Sequence, residues 1–447
     1  MMPDLMGKEQ TYSYADATAF LFNSLPMYQK IGKLAYKPDL STALAFDAYF
    51  KSPHRRYKSI HVAGTNGKGS VSHILASVLQ SAGYTVGLFT SPHLKDFRER
   101  IRVNGAPIPE EEVVHFVSKH EAEIKTLSPS FFEMTSALAL EYFARQHADV
   151  AVIETGMGGR LDSTNVVRPV LSIITNIGMD HTEHLGDTPE AIAAEKAGII
   201  KQDVPVLVGE WRRETAPVFD RVAREQHAPL YYADHLLRVL RAEQRGDMQC
   251  FSLVADGSLF PFEAAIDLKG RYQQINIVTA LAAINILGGR FSKIRKPLLS
   301  ISDEALAHGL SHVAAQTGLR GRWEIIAERP LIICDTGHNA HGLAETMPQL
   351  QALPYRRLHF VFGVVQDKDL DSMLPLLPVD AYYYFTQADL PRAMDARQLA
   401  ERCIEYGLQG QVVQTVFNAL KVARGNALPS DVIFVGGSTF VVAEALP

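Results

Sequence analysis

The segment Gly64-Thr65-Asn66-Gly67-Lys68-Gly69-Ser70 limits what this chain can become more than any other stretch. It follows a short β-prone run, Ser59-Ile60-His61-Val62-Ala63. It precedes Val71, Ile74, Leu75, Val78 and Leu79, which recur at helical spacing until Gly83 ends the pattern. A strand, a glycine-rich turn and an amphipathic helix in that order build a phosphate cradle. The glycines let the backbone turn its N–H groups toward oxyanions, and the helix N-terminus adds partial positive charge. Lys68 adds a full charge for terminal phosphates. The spelling departs from the common P-loop pattern: Val62 stands where the first glycine belongs, Gly69 follows the lysine, and Ser70 comes one place late. That weakens a kinase or GTPase reading and leaves phosphate binding intact. The plainer alternative is a glycine-rich turn with an incidental lysine.

With 447 residues the chain exceeds one ordinary core, so two domains are expected. Its 47% hydrophobic and 21% charged residues match a globular protein, and a net charge of −5 argues against binding nucleic acid through counterion release. The basic stretch His54-Arg55-Arg56-Tyr57-Lys58 reads as a solvated loop. Cys250, Cys334 and Cys403 form neither a disulfide framework nor a metal pattern. Residues 1–20 lack a basic start followed by an apolar core, and the longest apolar stretch, Ile275–Leu287, is broken by Asn276, Thr279 and Asn285. No secretory signal, no membrane span and a reducing cytoplasm are the expectations.

From residue 59 onward strand-like and helix-like runs alternate, which predicts an α/β fold with a doubly wound, mostly parallel sheet containing the P-loop. Strands are expected at 85–90, 149–153, 170–175 and 204–208. Residues 238–268 read as a small antiparallel patch, followed by helices at 274–287 and 303–313. The small, polar segment Ala314–Gly321 reads as a hinge. A second, smaller Rossmann-like α/β unit starts at Trp323, with strands near 331–334, 359–362, 381–385 and 432–435. The domains are thus expected at 1–314 and 315–447. Ligands in such sheets sit beyond the carboxyl ends of the strands, where polar residues gather here.

Several of those strand ends carry candidate chemistry. Glu154, before Thr155-Gly156-Met157-Gly158-Gly159-Arg160-Leu161-Asp162, is placed like an acid that helps hold Mg²⁺, or merely caps its turn. His181 with Asp180 ends the next strand, and spacing leaves a metal role and a structural role open. Lys196, in a helix whose start is marked by Thr188-Pro189-Glu190, would by itself be a solvated lysine. Ser91 in Thr90-Ser91-Pro92-His93-Leu94 could reach metal or substrate. Asp335-Thr336-Gly337-His338-Asn339 and Gly436-Gly437-Ser438 repeat the strand-end theme in the second half.

These residues carry a family resemblance. His61 through Ser70, Thr90–Leu94 with Phe97-Arg98-Glu99-Arg100-Ile101, Glu154 through Asn165, Glu195-Lys196-Ala197-Gly198-Ile199, Gly270-Arg271-Tyr272-Gln273 with Asn276, and Asp335 through Asn339 occur in order. The chain resembles the folylpolyglutamate synthase/dihydrofolate synthase family of the Mur ligase superfamily, from about Tyr12 to Leu446. The resemblance implies an ATP-dependent ligase that adds L-glutamate to dihydropteroate or a reduced folate. It implies ATP contacts at Thr65, Asn66, Gly67, Lys68, Gly69, Ser70, Asn276, Arg322 and Asp335. It implies Mg²⁺ at two sites, with Ser91, Glu154 and His181 as ligands, and a carbamylated Lys196 beside them. Pterin contacts fall on Ser130, Phe131, Phe132, Glu133, Leu161, Asp162 and Ser163, and glutamate-side contacts on His338 and Ser438. A monomer is also implied. The sequence departs from the family pattern at Thr336-Gly337, Ala340 and Ser130, and Tyr36–Phe46 matches only loosely.

The chemistry requires these parts. An amine does not displace oxide from a carboxylate at neutral pH, whereas an acyl phosphate offers phosphate as leaving group. Lys68, Lys196 and His338 are the catalytic candidates. A cell-wall Mur ligase is a rival, but only 63 residues precede Gly64, too few for its extra domain. A P-loop kinase would show Gly-Lys-Ser/Thr and a lid, and a non-catalytic nucleotide module would leave the acid, histidine and lysine without purpose. Within the family, the bifunctional reading is preferred because Ser130–Glu133 is present; the extending activity alone is the alternative.

Overall fold

The computed structural model describes residues 12–25, 39–289 and 297–447. Of the loosely matching Tyr36–Phe46 segment, residues 36–38 lie outside these. The first unit holds an eight-stranded sheet of β1 (Lys58–Ala63), β2 (Val86–Phe89), β3 (Ile101–Val103), β4 (Ala106–Pro107), β5 (Val150–Glu154), β6 (Leu171–Ile174), β7 (Val206–Val208) and β8 (Leu230–Tyr232). Their spatial order is β4-β3-β2-β5-β1-β6-β7-β8, with only β3, near one edge, running against the others. β1 lies between β5 and β6, at a topological switch point, so the loop leaving it opens into the crevice where ligands settle. Ile60 and Val62 face one layer and every β5 residue is buried, as expected of central parallel strands covered on both faces.

Helix Lys68–Ser81 differs from the amphipathic expectation. Ser70 through Leu79 are all buried, including Ser72, His73 and Ser77, because helices Gln273–Leu287, Asp303–Ser311 and Val313–Thr317 cover its outer side. Its polar groups find partners within that layer: Ser77 Oγ donates to the Gly309 carbonyl at 2.7 Å, and His73 Nδ1 bonds Thr317 Oγ1 at 2.7 Å. The first part of the segment expected as a hinge, Ala314–Thr317, belongs to helix Val313–Thr317, whose Val313 and Thr317 are buried in this layer. A three-stranded antiparallel sheet, β9 (Leu237–Arg245), β10 (Met248–Ala255) and β11 (Phe262–Ile266), packs Phe251, Leu253 and Ile266 into the same core. The basic stretch after Ser52 is only partly solvated. Arg55, Arg56 and Lys58 are exposed, but His54 is buried against Asp47 at 2.8 Å and Tyr57 is buried too.

The second unit is a six-stranded sheet of β12 (Glu324–Glu328), β13 (Leu331–Cys334), β14 (Leu358–Phe362), β15 (Tyr382–Gln387), β16 (Gln409–Thr415) and β17 (Val432–Gly436), ordered β12-β13-β17-β14-β15-β16. Only β12 runs antiparallel. Period-two alternation splits β14: Phe360 and Phe362 enter one helical layer and Val361 the other. Among the described residues no helix is long and apolar enough to cross a membrane.

Candidate functional site

The loop after β1 is held from outside by the segment following β6. Thr65 Oγ1 lies 3.0 Å from the Gly178 carbonyl, to which it donates, and the Asn66 N–H donates to Asn176 Oδ1 at 2.9 Å. Gly67 caps the helix with φ +82°, and a Cβ there would stand 2.3 Å from Asn276 Oδ1, so only glycine fits. Asn276 donates to Gln273 Oε1 (2.8 Å), whose amide reaches Ser70 Oγ (3.3 Å). Lys68 Nζ donates to the carbonyls of Gly64 and Thr65, each at 3.0 Å. Burial lowers its pKa, while Glu154 and Asp180 oppose that shift.

Strand-end residues complete the cavity. Glu154 closes β5, is 3% exposed and accepts the Ser91 N–H at 3.2 Å. Burial raises its pKa to about 7, against the pull of Lys68 and Arg322. Lys196 is no solvated helix lysine: it is 3% exposed and donates to the Gly64 carbonyl at 2.9 Å. Burial, with Lys68 nearby, depresses its pKa to about 7. His181 sits in the loop beyond β6 with φ +51°, and burial lowers its pKa to about 4, leaving a neutral imidazole. Ser91, Glu154, His181, Lys68 and Lys196 all line one cavity, together with Asn276, Arg322 and Asp335.

These donors fit a divalent cation. A carboxylate, a hydroxyl and a neutral imidazole are acceptable ligands, and the buried carboxylate accepts only one N–H. No cluster of three or more His, Cys, Asp or Glu able to hold a metal exists among the described residues. An ion here would therefore complete its shell with water and phosphate oxygens, as Mg²⁺ commonly does.

Asp335 directly follows β13 and accepts three hydrogen bonds, from Tyr272 O–H (2.6 Å), Trp323 N–H (2.8 Å) and Gly337 N–H (2.8 Å), which leaves one acceptor position of its carboxylate open. Tyr272 belongs to the first unit, so this carboxylate bridges the two. Asn66 and Asn339 do the same through a reciprocal amide pair (3.1 and 3.0 Å). Asp180 is the hub of the junction. It accepts from Lys368 Nζ at 2.8 Å and Asn339 Nδ2 at 3.0 Å, and His338 Nε2 lies 3.5 Å away. His338 Nδ1–H donates to the Thr336 carbonyl at 2.9 Å, which leaves Nε2 toward Asp180.

A second cavity adjoins the first. It is lined by all nine residues that the resemblance assigns to substrate: Ser130, Phe131, Phe132, Glu133, Leu161, Asp162, Ser163, His338 and Ser438. Several also have structural tasks. Ser130 and Glu133 form the capping box of helix Phe131–Arg145, and Ser438 caps helix Thr439–Ala445. Phe131 is 3% exposed and stacks on Phe22 with centroids 5.2 Å apart, so most of its ring is core. Phe132 packs on Phe89 at 5.7 Å. Asp162 accepts the N–H groups of Gly156 (2.8 Å), Met157 (2.9 Å) and Thr164 (3.0 Å), fixing the glycine loop after β5. Ser163 Oγ pairs with Ser136 Oγ at 3.0 Å.

Three cations that line this cavity are absent from the sequence-derived set: Arg100, Lys368 and Arg392. Arg100 lay inside the quoted Phe97–Ile101 motif. Lys368 belongs to Gln366-Asp367-Lys368-Asp369, a charged cluster past β14 that the strand-end rule would have flagged.

Two Mur ligase domain models match the chain: the Mur ligase middle domain over residues 62–284 and the Mur ligase glutamate ligase domain over residues 321–439. The Bacillus subtilis dihydrofolate synthase/folylpolyglutamate synthase is 34% identical over 97% of this chain and 98% of its own length. E. coli FolC in complex with DHPP and ADP superposes with a TM-score of 0.82 at 29% identity, covering 98% of both chains. A bifunctional folylpolyglutamate synthase/dihydrofolate synthase with Mn, AMPPNP and L-glutamate bound gives 0.80 at 30% identity, also covering 98% of both. With its phosphate loop, its paired sheets and these full-length similarities, the chain belongs to the dihydrofolate synthase/folylpolyglutamate synthase family of ATP-dependent Mur-type ligases.

Proposed function

We propose that this protein uses ATP and a divalent cation to join L-glutamate to the carboxylate of dihydropteroate, and also to reduced folates. One observation carries the reading: the phosphate-loop cavity and the aromatic cavity share a wall, which includes Ser91, Gly156, Met157, His181 and His338. A nucleotide's terminal phosphate and an aromatic acid's carboxylate can therefore meet there.

In the reaction, a carboxylate oxygen attacks the γ-phosphorus and ADP leaves, giving an acyl phosphate. The deprotonated glutamate amine then attacks the acyl carbon and inorganic phosphate departs. Lys68 exchanges its loop carbonyls for phosphate oxygens and spreads charge on the transferring group. Asn276, Arg322 and Asp335 contact the nucleotide, while Phe132, Leu161 and Asp162 present the walls for a flat heterocycle. Ser438 and His338 face the incoming glutamate. A cation held by Ser91, Glu154 and His181 would neutralise charge on the phosphates. The interdomain contacts at Asp180 and Asn66 exclude water, which protects the acyl phosphate from hydrolysis.

Lys196 is proposed to carry a carbamate. Its amine, depressed to about 7 by burial, is substantially neutral at physiological pH and can attack CO₂, releasing a proton and replacing a cation beside Lys68 with an anion. Intact-protein mass after mild trapping of the carbamate tests this; an unmodified Lys196 in fully active enzyme would refute it. The division between the two units is drawn at 318–321, just past residue 314, because helix Val313–Thr317 packs on the first unit. A monomer is proposed, since one chain supplies both cavities. A reducing cytoplasm suits three cysteines without a disulfide.

The test is phosphate release from ATP with glutamate and either dihydropteroate or tetrahydrofolate. Release with both is expected, and Lys68→Ala should lower the rate by roughly 10²-fold or more. Release with tetrahydrofolate alone would reduce the protein to the extending activity. No release with any pterin acid would overturn the reading.

A further inference from the structure

Three buried or half-buried cations line the aromatic cavity, and two of them are already paired: Lys368 with Asp180 at 2.8 Å and Arg392 with Asp367. Arg100 is different. It is 2% exposed, and among the described residues no carboxylate lies within ion-pair distance of its guanidinium. Its Nε donates to His93 Nδ1 at 2.7 Å, and its guanidinium carbon lies 5.2 Å from the centre of the Phe131 ring. His93 is kept neutral, its pKa lowered to about 3 by burial, so it serves as acceptor and not as a competing cation. Burial lowers the Arg100 pKa to about 10, against the attraction of Glu154, so it remains charged at neutral pH. One edge and one face of the guanidinium are thus fixed. The two terminal nitrogens form a fork with no carboxylate among the described residues within ion-pair distance.

A buried cation kept without an internal counter-ion is costly unless something supplies the opposite charge. The cavity it lines is the one proposed to take an aromatic acid, and Ser91 and Pro92, in both cavity walls, line it beside Arg100. A planar guanidinium fork matches a carboxylate through two parallel N–H···O bonds. We propose that Arg100 is a specificity-determining residue that binds the reacting carboxylate of the pteroyl substrate and orients it toward the γ-phosphate. This rests on the reading of the second cavity as the pterin-acid site.

The experiment measures binding of dihydropteroate and of its carboxamide to enzyme loaded with a non-hydrolysable ATP analogue. The wild-type protein, Arg100→Gln and Arg100→Lys are compared. Wild type should prefer the carboxylate. Arg100→Gln should bind dihydropteroate roughly 10- to 100-fold more weakly, yet bind the carboxamide within about threefold of wild type. Arg100→Lys should fall between, because it keeps the charge and loses the fork. Affinity for the ATP analogue reports whether a variant is folded; if Arg100→Gln fails that check, the Lys variant decides. Equal losses for both ligands would assign Arg100 a purely structural role on Phe131 and His93 and overturn the proposal, as would no loss for either. Failure of wild type to bind either compound would instead refute the pterin-acid reading, a distinct result.

Discussion

Asp180 and Lys368 offer the sharpest test of how the two units are joined. Their side chains are 11% and 9% exposed and lie 2.8 Å apart, so solvent screens the pair weakly. Asp180→Asn keeps the shape but leaves the Lys368 ammonium buried without its counter-charge. Breaking a buried pair from one side costs about 3–5 kcal/mol, which is roughly 10²- to 4 × 10³-fold in the ratio of joined to separated units. Lys368→Met alone should cost less, because Asp180 keeps the Asn339 amide at 3.0 Å and His338 nearby. The double variant should recover part of the Asp180→Asn loss, since it leaves no orphaned charge. The assay is a double-mutant cycle on kcat/KM for glutamate-dependent phosphate release, with small-angle scattering to report separation of the units. A coupling of about 2 kcal/mol or more is expected. Because Asp180 adjoins His181, the Asp180→Asn loss also carries any effect through a bound ion, and the coupling term of the cycle, not either single loss, isolates the pair. Additivity within about 0.5 kcal/mol would refute the claim that this pair holds the cleft closed.

Two further outcomes follow from the loop and the layer behind it. Gly67→Ala must hold φ +82° and push aside Asn276 Oδ1, which would lie 2.3 Å from the new Cβ. The left-handed backbone alone costs about 1–2 kcal/mol, so ADP binding measured by calorimetry should weaken roughly 5- to 30-fold; unchanged affinity would sink the steric argument. His73, bonded to Thr317, is held neutral by burial with a pKa of about 3 against 6.5 for the free side chain. Its contribution to stability is full above pH 6.5 and is lost as pH falls from there toward 3. Urea midpoints should therefore drop on acidification, and His73→Gln should flatten that dependence between pH 6.5 and 4. Equal slopes would show that His73 does not take up the proton.

Much of the site was legible because its residues obey local rules. Glycine spacing, the flanking strand and the helical periodicity marked the loop. Strand-end polarity marked Glu154, Ser91 and Asp335, and the structure brings all three to one cavity. Lys196 was misjudged on local grounds, since helix periodicity gives no hint that its amine reaches the Gly64 carbonyl, 132 positions away. The buried polar face of helix Lys68–Ser81 was hidden for the same reason: its cover comes from residues 273–317, a layer that no short window contains. Arg100 is visible in the sequence only as part of a motif, because its proposed role depends on the absence of a carboxylate partner among the described residues, and spacing cannot register absences.

The junction between the units was the least legible part, and it explains why Asp180-His181 matters as a pair. Asn66 meets Asn339 across 273 positions and Asp180 meets Lys368 across 188, so neither contact leaves a periodic trace. Yet both begin in loops that also serve the cavity: Asn66 within the phosphate cradle, Asp180 beside His181. Asp180 accepts Asn339 and Lys368 from the second unit and the His181 N–H (2.9 Å) from its own loop, while His181 lines both cavities. One short loop therefore sets the docking of the second unit and the position of that imidazole together. A shift of the second unit would pull on Asp180 and move its neighbour. If His181 serves the phosphates as proposed, backbone connectivity alone would couple phosphoryl transfer to closure against water, with no separate relay needed between them.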